Sequence, residues 1–320
     1  MRALPRALSI DAASQGEALE LLEQAMEPAP ADALPIALAA WCHGQRGGHH
    51  FTTWSIAEKK AARELAGRAA QLNTGDPVAT ALLASAYTLA HDLPAAGFHF
   101  DRALALDGAC VWAWNRSGWV SVYHRETADA IDRFQIALSI APDDPLNFFC
   151  SIGIAAAHFE AGRYDEAARW FTRGLAEHPS AVWANRFRAP AYALAGRKAE
   201  ARRSVAELLC CYPDLTITDV RSALPHTPSF FDRAAEGLEA AGLRPQLDFP
   251  HFPGSDAHVM TQNISSAAMN CSASSIDRMV RPKGPAEAHR SFQSDQYKTS
   301  NRPSCGVGRR RATGAPESAS

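Results

Sequence analysis

The sequence predicts an all-α protein, a right-handed solenoid of about six helix pairs, on three observations. A short motif of Ala and Phe residues recurs at a nearly constant spacing through residues 15–212. Residues 1–244 are rich in Ala, Leu and other helix formers, and no strand is predicted. Only six of the 76 residues in 245–320 are Ile, Leu or Val, which predicts a disordered tail after the helices.

The recurring motif has residues at offsets 0, 4, 7 and 12, as in Ala130, Phe134, Ala137 and Pro142. Its six copies begin at Ala18, Ala62, Ala96, Ala130, Ala167 and Ala201, in steps of 44, 34, 34, 37 and 34 residues. Offsets 0, 4 and 7 share one face of a helix, so each copy predicts the second helix of a pair. The small residues allow close approach, the Phe fills the space between helices, and Pro ends the unit.

Two of the spacings depart from 34 residues. The 44-residue step predicts an insertion of about ten residues around 45–54. The 37-residue step predicts about three extra residues between Phe148 and Tyr164, which we expect to form one more helical turn. Pro190 falls within the predicted first helix of the last repeat and should bend it.

These positions resemble the tetratricopeptide repeat family. In the best-matched copy, the residues that carry the resemblance are Trp114, Gly118, Ala130, Phe134, Ala137 and Pro142. The match covers roughly Gln15 to Tyr212 and weakens where Phe148 and Asn185 open their repeats. The resemblance implies a superhelix whose first helices line a concave face that binds proteins or peptides.

A finer resemblance gives an alternative function. It rests on three stretches: Ala113–Trp119, Asp144–Phe149 and Leu224–His226. They are similar to tetratricopeptide arrays that follow a class III adenylate/guanylate cyclase domain or a winged-helix regulator domain in bacteria. The chain has no room for a cyclase domain before Gln15 and no pair of metal-binding Asp on strand ends. The resemblance therefore implies the regulatory, accessory half of such a protein.

The family register places a stripe of residues on the concave face. Its candidate peptide-binding members are Trp112, Asn115, Trp119, Phe149, Trp183 and Arg186. Rings, amides and guanidinium groups suit a peptide groove. The alternative is that Trp112 and Trp183 pack against the adjoining repeat. Val78, Ala81 and Ser85 stand where chaperone-binding members carry Lys and Asn, so that ligand class is not expected.

Two cysteine-containing segments were weighed as chemical sites. Cys42-His43-x5-His49-His50 has zinc-type ligands, but it has one Cys and matches no familiar zinc module, so a flexible surface loop is the expectation. Cys210 and Cys211 are expected to lie one in the core and one on the surface. No phosphate-binding loop, dinucleotide fingerprint or nucleophile elbow follows a predicted strand. We predict no metal, no cofactor and no enzymatic activity.

Composition narrows the class of partner. The chain has 34 acidic and 32 basic residues, a formal charge of −2, which argues against a general nucleic-acid binder. No apolar run approaches 18 residues and no signal peptide is recognised, so we expect no membrane partner. Seven scattered cysteines suit free thiols in the cytoplasm. The partner is expected to be a protein or peptide.

The predicted domain order has four parts. Residues 1–14 lead into the array of 15–212, and residues 213–244 form two capping helices, Ile217–Ala223 and Phe230–Ala241. Residues 245–320 are expected to be dispensable, and to be a frameshifted or read-through extension. A basic tether at Arg309–Arg311 is the alternative.

Overall fold

Fourteen α-helices make up most of the part of the chain that the structure, a computed structural model, describes: residues 2–52, 55–72 and 75–246. That part contains no strand. The helices are α1 Ala3–Ala7, α2 Ala12–Met26, α3 Ala33–Gly48, α4 Ser55–Gln71, α5 Pro77–Leu89, α6 Leu93–Leu106, α7 Val111–Tyr123, α8 Thr127–Ile140, α9 Phe148–Glu160, α10 Tyr164–Glu177, α11 Asn185–Leu194, α12 Lys198–Cys211, α13 Ile217–Ala223 and α14 Pro228–Ala240. A 3₁₀ turn, Val182–Ala184, precedes α11.

Successive helices pack as pairs, from α1 with α2 to α11 with α12. The first helices of neighbouring pairs also contact each other, α3 with α5, α5 with α7 and α7 with α9. The second helices bury the recurring motif residues at offsets 0 and 4, and from α4 onward also at offset 7, as with Ala130, Phe134 and Ala137 in α8. The predicted all-α repeat solenoid is therefore confirmed for the described residues.

The closest packing in the middle of the array is around Phe134, which is fully buried. A Cβ added to Gly118 of α7 would lie 2.8 Å from Phe134 Cε1. A Cβ added to Gly153 of α9 would lie 2.2 Å from Phe134 Cζ. We call these three residues the glycine seam. Phe134 thus joins its own helix pair to the next one, and neither glycine position has room for a side chain.

The three extra residues of the long repeat lie in a loop. Helices α7 and α9 each have 13 residues, so the predicted extra helical turn is wrong. The connection from α8 to α9 covers residues 141–147, whereas the one from α6 to α7 covers 107–110. Asp144 and Asn147 hold this loop, since Asp144 Oδ1 accepts from the Leu146 amide and Asn147 Nδ2 donates to the Ala141 carbonyl. Local side-chain bonds of this kind favour a turn over a helix.

The inserted residues extend α3 to 16 residues and then turn into the interior. His49 is buried, with 4% of its surface exposed, so the expectation of a flexible surface loop is wrong for this residue. His50 follows with a left-handed φ of 60°. The Gly48 carbonyl accepts a hydrogen bond of 2.9 Å from Arg186 Nη1 in α11. The insertion therefore contacts the last repeat across the concave side.

Helices α13 and α14 close the array, as predicted for capping helices. A Cβ on Gly237 of α14 would lie 2.5 Å from the Pro190 Cα in α11, so the two backbones approach closely there. The buried Glu160 accepts from Arg233 Nη2 of α14 at 2.9 Å. After α14 the chain returns to α13, where the Ile217 amide donates to the Arg244 carbonyl. Residues 247–320, which include most of the predicted disordered tail, lie outside the described residues.

Candidate functional site

Two neighbouring cavities share one lining residue, Arg116 of α7. The outer cleft has a volume of about 310 Å³ and lies at the starts of α5, α7 and α9. The inner cavity has a volume of about 40 Å³ and lies among the first helices of the pairs. The outer cleft is lined by Val78, Asp107, Ala109, Cys110, Val111, Trp112, Asn115, Arg116, Asp144 and Leu146. The inner cavity is lined by Trp41, Gln45, His49, Ser85, Thr88, Leu89, Arg116, Trp119, Tyr123, Phe149, Ile152, Trp183, Phe187 and Leu224.

Arg116 is a buried cation that forms no ion pair with its acidic neighbour Asp144. Its side chain is 8% exposed, and it forms no ion pair or hydrogen bond with any described residue. Its guanidinium carbon lies 3.7 Å from the ring centroid of Phe149 and 5.1 Å from that of Trp112. Burial lowers the pKa of Arg116 to about 10, so the group stays charged at neutral pH. Aromatic faces therefore provide its nearest stabilising contacts.

Arg186 is the second buried cation on the concave side. It is fully buried, donates to the Gly48 carbonyl, and places Nη2 3.2 Å from His49 Nδ1. Its guanidinium lies over the rings of Trp183 and Phe187, at 5.5 and 5.2 Å. Burial lowers the pKa of Arg186 to about 10, which leaves it charged.

His49 is held in the neutral form. Burial, followed by the charge of Arg186, lowers the pKa of His49 well below its usual value. Since a guanidinium only donates, Nδ1 must accept from Arg186 and the ring proton must lie on Nε2. The ring stacks on Trp183 with a centroid distance of 4.0 Å.

Several polar atoms in the lining of the inner cavity have no hydrogen-bond partner among the described residues. They are Trp41 Nε1, Trp119 Nε1, Trp183 Nε1, Gln45 Nε2, Gln45 Oε1 and Arg116 Nη2. All but the Gln45 oxygen are donors. Buried polar groups normally find partners, and a cluster left without them calls for a specific explanation.

The six predicted groove residues lie on the same side of the array but differ in access. Trp112 is half-buried and Asn115 is buried; both line the outer cleft. Trp112 Nε1 donates to Ser85 Oγ in α5 at 3.1 Å, so this ring also packs on the adjoining repeat. Asn115 Nδ2 reaches the Leu146 carbonyl at 3.5 Å, and Asn115 Oδ1 has no partner.

The other four predicted residues are buried deeper. Trp119, Phe149 and Trp183 line the inner cavity, and Arg186 lies behind it without lining either cavity. Because the extra residues lie in a loop, Phe149 is the second residue of α9, as Trp112 is of α7. The two residues therefore occupy equivalent places in helices of equal length.

Arg116, Trp41, Gln45 and His49 belong to this region and were not among the predicted residues. Arg116 had a sequence signal, because it lies one helical turn after Trp112. His49 had none, because its place depends on a contact between distant parts of the chain.

The cysteine-containing segments do not form a ligand set in the described residues, where no three His, Cys, Asp or Glu side chains come together. His43 Nδ1 contacts Glu58 Oε2 at 2.6 Å instead. Burial raises the pKa of the Cys42 thiol to about 12. Cys210 is exposed and Cys211 is half-buried, so the expectation that one of them lies in the core is wrong.

None of the described helices combines the length and the apolar composition needed to pass through a bilayer.

No protein-family model matches the chain, and no curated protein matches it. Solved structures do. A chain of the APC/C hetero-tetramer Cut9–Hcn1 has a TM-score of 0.51 and 16% identity, over 70% of this chain and 43% of that one. PilW, a type IV pilus biogenesis factor, has a TM-score of 0.45 and 19% identity, over 58% and 82%. Human IFIT1 with PPP-AAAA has a TM-score of 0.49 and 16% identity, over 62% and 46%.

At these identities the likeness concerns the fold alone. This chain spans less than half the length of the Cut9–Hcn1 chain that it matches. Together with the helix pairs described above, the comparison identifies the fold as a tetratricopeptide-like helical solenoid.

Proposed function

We propose that this chain is a non-catalytic interaction module that binds a peptide segment of another protein in the outer cleft. The observation that carries the proposal is the open cleft of about 310 Å³ containing Asn115 Oδ1, a buried acceptor without a partner. A peptide backbone N–H supplies the missing donor. The Trp112 ring beside it offers the flat apolar surface typical of an interface anchor.

The charges of the cleft favour a basic segment. Asp107 and Asp144 both line the cleft, and each uses one carboxylate oxygen to hold its own loop, through the amides of Ala109 and Leu146. A Lys or Arg side chain of the partner would approach these carboxylates and the face of Trp112. The same acidic lining, with the net charge of −2, argues against a nucleic-acid partner.

The test is selection from a random peptide library displayed on phage, with the full chain immobilised. We expect enrichment of peptides that contain Lys or Arg, and we expect Trp112→Ala to weaken their binding about tenfold or more. Trp114→Ala is the matched control, since Trp114 is two residues along α7 and bonds the Gly108 carbonyl on another face. Failure to enrich any peptide, or equal losses in both variants, would refute the proposal.

The alternative proposal makes this chain the accessory half of a signalling protein. Its support is the resemblance of 113–119, 144–149 and 224–226 to arrays that accompany cyclase or winged-helix domains. The partner would then be such a domain encoded beside this chain and, as the cysteine usage suggests, present in the cytoplasm. Sequencing the neighbouring reading frames tests this idea, and frames unrelated to either domain would remove its support.

A further inference from the structure

We propose that the inner cavity is a binding site for a small organic carboxylate, with the carboxylate on Arg116 and the organic body among the aromatic rings. This site goes beyond the proposed peptide cleft and does not depend on it. Three features of the cavity support the proposal: its charge, its donors and its size.

The charge is unbalanced. Arg116 lines the inner cavity and Arg186 lies beside it, yet none of the residues that line the cavity is acidic. Asp144, the carboxylate near Arg116, lies on the side of the outer cleft and forms no ion pair with it, and ring contacts compensate for only part of the lost hydration. An apolar side chain in place of such a charge is often neutral or stabilising. The planar fork of an arginine is matched by the two oxygens of a carboxylate.

The donors point to the same ligand. Trp41, Trp119 and Trp183 each leave an indole N–H without a partner, as do Arg116 Nη2 and the Gln45 amide. Donors thus exceed acceptors in the lining, so a complementary ligand must be rich in acceptors. An anion supplies acceptors and neutralises charge at once. Water could accept these hydrogen bonds, but it carries no charge to neutralise the Arg116 guanidinium.

The size of the cavity limits the ligand to a small molecule. About 10–15 Å³ of such volume holds one water, so the cavity of about 40 Å³ holds about three waters or one small ligand. Leu89, Ile152, Phe187 and Leu224 supply apolar walls for the organic part. A short-chain acid such as acetate, which is about the size of two to three waters, combines a small apolar group with a carboxylate.

Arg116 lines both cavities, so its guanidinium lies at the boundary between them. The acidic residues Asp107 and Asp144 lie on the outer side, so the two cavities differ in the charge that they attract. A basic peptide outside and an acid inside are therefore separate ligands.

The experiment is isothermal titration calorimetry of the full chain with sodium acetate, and with acetamide as the uncharged ligand of the same shape. We expect saturable binding of acetate, about tenfold or more tighter than acetamide. Equal affinity for both ligands, or no saturable heat with acetate, would overturn the proposal.

Variants locate the site. Arg116→Met should weaken acetate binding about tenfold or more, while Arg133→Met, which removes an arginine that lines neither cavity, should leave it unchanged. Unchanged binding in a folded Arg116→Met variant would overturn the proposal. If that variant does not fold by circular dichroism, Thr88→Leu serves instead, because Thr88 bonds only its own helix and a larger side chain there narrows the cavity. Wild-type acetate affinity in Thr88→Leu would also overturn the proposal.

Discussion

The glycine seam and the inner cavity share helices α7 and α9, but they are built on different principles. In the seam, Phe134 is fully buried and the glycines of α7 and α9 leave just enough space for its ring. In the cavity, α7 buries Arg116, which forms no ion pair with any described residue, and Arg186 of α11 is buried beside it. Close packing stabilises the seam, whereas the buried charge and the unpartnered polar groups of the cavity lower stability.

This difference teaches how to separate structural from functional residues in a repeat array. Changes in the seam should lower stability sharply. The effect of a substitution near the cavity should depend on whether the original side chain forms a hydrogen bond. Removal of a group without a partner should therefore change the free energy of unfolding little. The first two of four predictions test that distinction, and the four are given in order of decreasing effect.

Gly153→Leu should lower the free energy of unfolding by about 3 kcal/mol or more, because the added Cβ alone would lie 2.2 Å from Phe134 Cζ. Urea unfolding followed by circular dichroism measures it. Gly118→Leu should be milder, since its nearest approach is 2.8 Å. Two variants as stable as the wild type would show that the seam is not closely packed.

Arg186→Met should lower the free energy of unfolding by about 1–3 kcal/mol, because the Gly48 carbonyl and His49 lose their donor. Arg116→Met should leave that free energy unchanged or raise it by about 1 kcal/mol, since Arg116 donates no hydrogen bond to a described residue. Thermal and urea unfolding of the pair measure the contrast. Equal destabilisation by both would mean that hydrogen bonding does not distinguish them.

Stability should fall as the pH drops below about 6.5. Burial lowers the pKa of His49 and of His226 well below the usual value, so the folded chain keeps both neutral while the unfolded chain takes up protons. Each histidine then contributes a loss of about 1.4 kcal/mol per pH unit. His226→Phe should reduce this slope by about that amount, and His124→Gln, at an exposed position, should not. Urea unfolding at pH 7.5, 6.5 and 5.5 gives the slopes; identical slopes in all three proteins would contradict the assignment.

Gly97→Ala should raise the free energy of unfolding by about 0.5–1 kcal/mol. Gly97 lies inside α6, and a Cβ there would have no neighbour within 4 Å. Thermal unfolding measures the gain, and a loss would indicate a contact at this position that the packing does not show.

The sequence predicted two of the three seam residues, Gly118 and Phe134, because their signal is local and periodic, but it did not single out Gly153. Ala130, Phe134 and Ala137 repeat at helical spacing, and their burial follows from that spacing. The same register placed Trp112 and Asn115 beside the outer cleft, although their binding role stays a prediction.

The interior could not be predicted in the same way. A step of 37 residues does not say whether the extra residues lengthen a helix or a loop, and the answer decides where Phe149 lies. His49 and Arg186 belong to no repeated pattern, and their contact joins residues 137 positions apart in the chain. Pairings over such distances depend on the curvature of the whole array.

The hydrogen bond from Arg186 to the Gly48 carbonyl bridges 138 residues. A solenoid in which each repeat contacts only its neighbours can unfold from either end. A hydrogen bond between an early and a late repeat links two repeats that are not neighbours in the chain. While this hydrogen bond is in place, it holds α3 and α11 together and opposes extension of the segment between them. We therefore expect hydrogen exchange to show α3 and α11 opening together, and Arg186→Met to let them open separately.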